Sequence, residues 1–397
     1  MNHHSSDHIA VTRLLGLPAL GPRRVRSLLH GRRPVDVEHD LRRGRRVSND
    51  SSELHEAWTK ALGTAPSDGE IESRLATMHV TVMGDPDYPE SLALDPAAPA
   101  ALFWRGDITV IDRCRRVALV GTRRATEYGR GAAHDFGRAL ASHGVAVVSG
   151  LALGIDAAAH RGALASNWTE STHPTQSTQS THPTQSTLST QATAPPIGVV
   201  ASGLDVVYPR INSRLWSDVA ECGVLVSESP PGTEPDRFRF PLRNRIIAAL
   251  AEVLVVVESR ATGGSMLTVN EALQRDVPVM SVPGATRSLA SEGTNLLLRD
   301  GALVAASPDD VLTVLGLTPT RHDVVRDLRP VPMGVDREVL TVMTADPMAL
   351  DDVVRASAPH SLGAVALALG RLEANGWVVC TDGWFELANP SSNHSVP

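Results

Sequence analysis

Apolar residues follow two rhythms along this chain. Between residues 107 and 315, six short aliphatic and β-branched runs recur, at 117–120, 145–148, 197–200, 224–226, 253–257 and 277–282. Each is followed by a stretch with helical spacing. Strands apolar on both faces and separated by helices predict a doubly wound α/β domain, a parallel sheet covered on both sides. Elsewhere the helical rhythm dominates. Residues 1–75 carry it in 11–15 and 23–29, on either side of a Gly/Pro turn at 16–22, and are expected to form a small helical module. Residues 76–106, with Asp85-Pro86, Tyr88-Pro89 and Asp95-Pro96, are expected to be an extended connector.

Residues 316–334 are expected to be a linker to a last unit at 335–390, with a tail at 391–397. That unit has apolar stripes at Val339, Leu340, Val342 and Met343, at Leu350, Val353 and Val354, and at Leu362, Val365, Leu369 and Leu372. Trp377-Val378-Val379 and Trp384-Phe385 then flank a Thr381-Asp382-Gly383 turn. Three helices followed by a β-hairpin is the order of a winged helix, with a small α+β cap as the alternative. Within the α/β domain, residues 167–196 duplicate a Ser/Thr/Gln/Pro-rich nonapeptide and hold almost no apolar side chain. They are expected to be a disordered surface loop.

Composition narrows the function. The chain has 397 residues, 42% of them hydrophobic, enough for two or three domains. No run approaches the ~20 apolar residues of a membrane-spanning helix, and the N-terminus lacks a secretory layout, so a cytoplasmic protein is expected. The cysteines Cys114, Cys222 and Cys380 are scattered, which argues against a disulfide framework or a structural zinc. Lys60 is the sole lysine, so 36 of the 37 basic residues are arginines. That excludes a Walker A ATPase and disfavours lysine Schiff-base chemistry. Net charge is −7, but residues 1–60 hold 11 bases against 7 acids. An anion-binding surface must therefore come from clustered arginines.

Candidate clusters sit where strands end. Gly121 and Arg123 follow the first run, with Gly129 in the next helix. A glycine turn, a helix N-terminus and an arginine can together hold a phosphate. The spacing is not G-x-G-x-x-G, so the NAD argument fails. Ser149 and Gly150 follow the second run. Asp156 and His160 lie beyond them on one helix face, as an acid/base pair or, preferred here, as a loop-capping carboxylate and an interior histidine. Tyr208-Pro209-Arg210 follows the third run. Arg237, Arg239, Arg243 and Arg245 are interleaved with Phe238 and Phe240 before an apolar helix. Arginines at a helix start oppose its dipole and invite an anion, and the aromatics suit base stacking. Gly263, Gly264 and Ser265 form another glycine loop. In an open α/β fold such loops line one sheet edge, where ligands bind.

The series Val120-Gly121-Thr122-Arg123, Ser149 to Asp156, Gly203 to Arg210, Phe240 to Ala248, Thr262 to Leu273 and Val282-Pro283-Gly284 resembles the DNA-processing protein A (DprA/Smf) family, in order and over about residues 80–315. The resemblance implies an extended Rossmann-like domain, a helix-hairpin-helix or SAM-like N-terminal module and a C-terminal winged helix. It implies a non-enzymatic protein without cofactor or metal. Such proteins bind single-stranded DNA in natural transformation, protect it, load the recombinase RecA onto it and form homodimers. The positions implied to bind phosphate are Gly121, Arg123, Ser149, Gly150, Arg210, Arg243, Asn244 and Arg245, with Gly263, Gly264 and Ser265 beside them. Arg210 stands where many members have lysine.

One rival is an enzyme. Gly263-Gly264-Ser265 with Thr268 and Glu271 faintly resembles the catalytic loop of nucleotide phosphoribohydrolases, without its proline and Gly-Thr step. Another is a duplex-DNA regulator acting through 335–390. The expected recognition helix, 362–372, brings only Arg371, so that unit is expected to contact protein or modulate the dimer.

Overall fold

Strand by strand, alternate side chains of the central runs go to opposite faces, as the pleat requires. In the computed structural model, which describes residues 4–168, 193–317, 329–344 and 346–388, Ala118 and Val120 enter one buried cluster while Val117 and Leu119 enter another.

Five helices come first: α1 (Ser6–Leu15), α2 (Pro22–Leu29), α3 (Pro34–Arg42), α4 (Ser52–Gly63) and α5 (Asp68–Leu75). Ser5 caps α1, and prolines open α2 and α3, where the missing N–H costs nothing. Leu14, Val25, Leu28, Leu41, Trp58 and Leu62 form their own core. Burial of each such side chain contributes about 1.5–3 kcal/mol.

The central region follows as β1 (His79–Val82), α6 (Glu90–Ala93), β2 (Ala101–Gly106), α7 (Val110–Arg113), β3 (Arg115–Gly121), α8 (Glu127–Ser142), β4 (Val145–Ser149), α9 (Ile155–Trp168) and β5 (Ile197–Val200). A 3-10 turn at Arg210–Asn212 leads into α10 (Ser213–Cys222), then β6 (Val224–Ser227), α11 (Arg239–Leu250), β7 (Val253–Glu258), α12 (Ser265–Leu273), β8 (Val279–Ser281), α13 (Glu292–Arg299), β9 (Leu303–Val304) and α14 (Pro308–Val314). The sheet order is β1-β2-β6-β5-β4-β3-β7-β8-β9. From β6 to β9 all pairings are parallel, and helices cover both faces. This is the doubly wound α/β fold read from the sequence, and its direction of winding reverses between β3 and β7.

The segment 76–106 departs from expectation. It is no bare connector: β1 and β2 pair antiparallel, and β2 adds antiparallel to β6, extending the sheet. Val80, Ala101, Leu102 and Phe103 are buried there. The two runs are too short, and the prolines between them too many, for a strand signal to stand out.

The last elements are α15 (Val335–Val342), β10 (Met348–Ala349), α16 (Leu350–Ala356), α17 (Leu362–Ala374), β11 (Val378–Thr381) and β12 (Trp384–Leu387), around a separate core. β10 was not expected and joins the hairpin in a sheet of order β10-β12-β11. The low-complexity stretch falls almost wholly on 169–192, outside the described residues, as do most of the linker and the tail. Its last residues are described, and Ala194 is buried with its amide donating to the Ala141 carbonyl, so that end packs rather than loops freely. Among the described residues no helix is long and apolar enough to cross a membrane, and no cluster of His, Cys, Asp and Glu is arranged to hold a metal.

Candidate nucleic-acid interface

Three strand-end loops and one helix meet at the C-terminal edge of the sheet. Arg123 after β3, Gly150 and Leu153 after β4, Tyr208 after β5, and Phe240 and Arg243 of α11 line a pocket with about 420 Å³ of free space, part of it open to solvent. The pocket lies to the β4–β5 side of β3.

Arg243 is its most unusual member. Helix α11 has no acid in its first turn and no side-chain cap, so its own first turn offers nothing to neutralise the arginines it presents. Arg243 is 6% exposed, forms no ion pair among the described residues, and its Nε has no hydrogen-bond partner there. Its guanidinium lies against Gly150, where any Cβ would overlap it. That is a physical reason for glycine at this position. Burial pulls the Arg243 pKa down to about 10; Asp156 opposes this, and the charge of Arg123 adds to it. The group is still a cation at neutral pH. A buried, unpaired cation is costly unless an anion completes its shell.

Arg123 is exposed and sits 4.5 Å above the Phe240 ring, a cation–π contact. Tyr208, 43% exposed, lies 5.8 Å from the same ring at 48°. The pocket thus combines two guanidiniums with two aromatic faces. Arg210 is exposed one residue beyond Pro209, which also lines the pocket.

Below it, Asp156 Oδ2 accepts from the amides of Gly150 at 3.2 Å and Ala152 at 3.4 Å. Burial raises its pKa, with Arg243 opposing. His160 is fully buried, burial lowers its pKa to about 4, and neither ring nitrogen has a hydrogen-bond partner among the described residues. Neutral and enclosed, it is an interior side chain with no access to a substrate in the pocket. The geometry matches the loop-capping reading of the pair.

Other sequence candidates are committed elsewhere. Arg245 is corrected most clearly: it bonds both carboxylate oxygens of Glu228 at 2.5 Å and the Ala97 carbonyl at 2.6 Å, so its fork is spent inside the protein. Asn244 between the two arginines is half-buried and does not line the pocket. The Ser149 hydroxyl donates to the Leu119 carbonyl at 2.6 Å. Gly263, Gly264 and Ser265 lie beyond β7, on the other side of β3. A Cβ at Gly263 would overlap Ser259 Oγ, which accepts from the buried Ser265 hydroxyl at 2.7 Å.

The glycine turns expected to help hold a phosphate do not free their amides for one, because the loops fill themselves. The Gly150 amide goes to Asp156, that of Thr122 beside Gly121 to the Glu258 carbonyl, and that of Gly263 to Arg260. At Gly121 a Cβ would come within 2.5 Å of Ile155, so this glycine serves close packing.

Sequence reasoning missed Glu258, the carboxylate that closes β7. Its Oε2 accepts from the Thr126 amide at 2.8 Å and its Oε1 from the Thr126 hydroxyl at 2.7 Å, at the N-terminus of α8. Gly129 makes room for it. Burial raises its pKa against these bonds. Glu386 of β12 accepts from the next amide, Glu127, at 3.3 Å. A charged residue ending an otherwise apolar strand was the available signal. Tyr208 was missed as a site residue as well, an uncharged ring within its motif. Glu271, the carboxylate of the enzymatic rival, is ion-paired to Arg275, which also holds Asp95, outside the pocket.

A family model described as DNA recombination-mediator protein A matches residues 79–316. The DNA processing protein DprA of Bacillus subtilis (strain 168) is 33% identical over 228 residues, 57% of this chain and 68% of that one. Protein Smf of Escherichia coli (strain K12) is 30% identical over 335 residues, 79% of this chain and 80% of its own. The X-ray structure of DprA from Streptococcus pneumoniae is similar with a TM-score of 0.62 at 25% identity, covering 78% of this chain and 98% of that chain.

Proposed function

The chain belongs to the DNA recombination-mediator protein A family, and from that premise we propose that it is a DNA-processing protein that binds single-stranded DNA at the Arg123–Arg243 pocket. The observation that carries the reading is Arg243, a buried guanidinium without an ion pair among the described residues, beside the exposed ring of Tyr208 and the half-buried ring of Phe240. A strand offers both missing partners: phosphates for the guanidiniums and unpaired bases for Tyr208 and Phe240. Every base has a π-face, so the recognition is tolerant of sequence.

The same proposal includes protection of the bound strand, its delivery to RecA in transformation or recombination, homodimer assembly and residence in the cytoplasm. These rest on the family. Residues 335–390 are proposed to be a winged helix that contacts protein. The reading is non-enzymatic, and it is supported by Asp156 accepting from two loop amides and by the enclosure of His160 below the pocket.

The test is a titration of fluorescent oligo-dT with the native chain and with Arg123→Ala and Arg243→Met. Each substitution is expected to weaken binding ten- to a hundredfold, the ~1.5–3 kcal/mol of a charge-assisted contact, without lowering the melting temperature. Undiminished affinity in Arg243→Met overturns the assignment.

A further inference from the structure

The rim pocket does not use the arginines of the N-terminal module. Between residues 19 and 50 nine arginines face four carboxylates. Two of those acidic residues each hold two arginines. Asp40 takes Arg32 at 2.6 Å and Arg45 at 3.1 Å; Asp50 takes Arg24 at 3.4 Å on its side chain and Arg46 at 2.6 Å on its carbonyl. These bonds draw α2, the end of α3 and the loop after it into one surface. Arg23 and Arg43 add two exposed guanidiniums that hold no ion pair among the described residues. Exposed ion pairs contribute little, so the shared arginines exchange readily for phosphate.

What this surface lacks is as informative. The sole Phe, Trp or Tyr in residues 1–75 is Trp58, which is fully buried with its Nε1 donating to the Pro18 carbonyl. The patch therefore offers charge to a backbone but no Phe, Tyr or Trp face for an unpaired base, only the exposed imidazoles of His30 and His39. The pocket at the sheet edge offers both. The module is also anchored to the sheet region, since Arg26 donates to the carbonyls of Asp95 and Ala98, and His8 bonds Asp85.

We propose that the α2–α3 arginine surface is a second DNA site, one that grips the phosphate backbone of duplex DNA. It goes beyond the single-strand reading and rests on different residues. With both sites engaged, the preferred ligand is a duplex carrying a single-stranded tail.

The experiment measures anisotropy of a blunt duplex, of oligo-dT and of a tailed duplex across a salt series, using the full chain and Arg23→Glu/Arg43→Glu. These two side chains support no internal bond among the described residues, so folding is preserved; Arg45→Ala/Arg46→Ala is the second variant. Duplex affinity is expected to fall at least tenfold in the charge-reversal variant, and the slope of log K against log salt to shrink by about 2. Oligo-dT affinity should stay within twofold. In Arg123→Ala the pattern inverts, which separates failure of this proposal from failure of the pocket. Unchanged duplex affinity in both arginine variants overturns the proposal. So does displacement of native protein from duplex by polyglutamate as readily as by unlabelled duplex, which would assign the surface to an acidic protein.

Discussion

Two mouths open along the same sheet edge, one on either side of β3, and they meet the same problem in opposite ways. On the β7 side, where the winding reverses, the N-terminus of α8 is closed by Glu258. On the β4–β5 side, Arg123 and Arg243 face a pocket whose lining holds no carboxylate, with Asp156 acting on Arg243 only from below. In doubly wound folds the reversal point is where ligands ordinarily bind, through a helix N-terminus. Here the chain supplies its own anion at that point, and one strand over it leaves cations that hold no ion pair among the described residues. A glycine turn after a strand thus says only that something approaches the backbone closely. At Gly129 it is a carboxylate of the same chain; at Gly150 it is a guanidinium with no ion pair among the described residues.

The contrast meets its severest challenge in two arginines that sit two positions apart on α11. Arg245→Ala strands the buried Glu228 and is expected to cost about 3–5 kcal/mol of stability. Urea unfolding would show it, whereas Arg243→Met should show no such loss. Equal destabilisation by both would erase the distinction between structural and receptive cations.

Acid should undermine the floor of the pocket. His160 titrates near 4 in the fold and near 6.5 when unfolded, so below pH 6.5 the unfolded chain takes up a proton that the fold refuses. Stability is lost as pH falls from 6.5 towards 4, by on the order of 3 kcal/mol. Unfolding curves at pH 7, 5.5 and 4, compared with those of His160→Gln, measure it; parallel losses in the two would remove His160 as the cause. Gly129→Ala has the smallest effect, about 1–3 kcal/mol, because its Cβ pushes Glu258 off the α8 N-terminus. Oligo-dT affinity should not change, since that mouth holds no strand.

Much of the fold is legible in the amino-acid sequence. Six of the seven strands of the parallel sheet stand out because strands buried on both faces must be continuously apolar; the seventh, β9, is two exposed residues. Strands β1 and β2 do not, since four to six residues among prolines carry too little pattern. In the candidate site, Arg123 and Arg243 can be named from local chemistry. Their neighbour Arg245 cannot be told apart, because its partner Glu228 lies 17 residues away and only the fold brings them together. Glu258 is hidden for the same reason: its partner Thr126 is 132 residues distant.

If a strand's phosphate completes the shell of Arg243, a crystal structure of the chain with a short oligo-dT will show it. A backbone phosphate is then expected within hydrogen-bonding distance of Arg243 and Arg123, with a base against Tyr208 or Phe240 and Glu258 still bound to Thr126. A phosphate seated on the α8 N-terminus, with Glu258 displaced and Arg243 untouched, would contradict it.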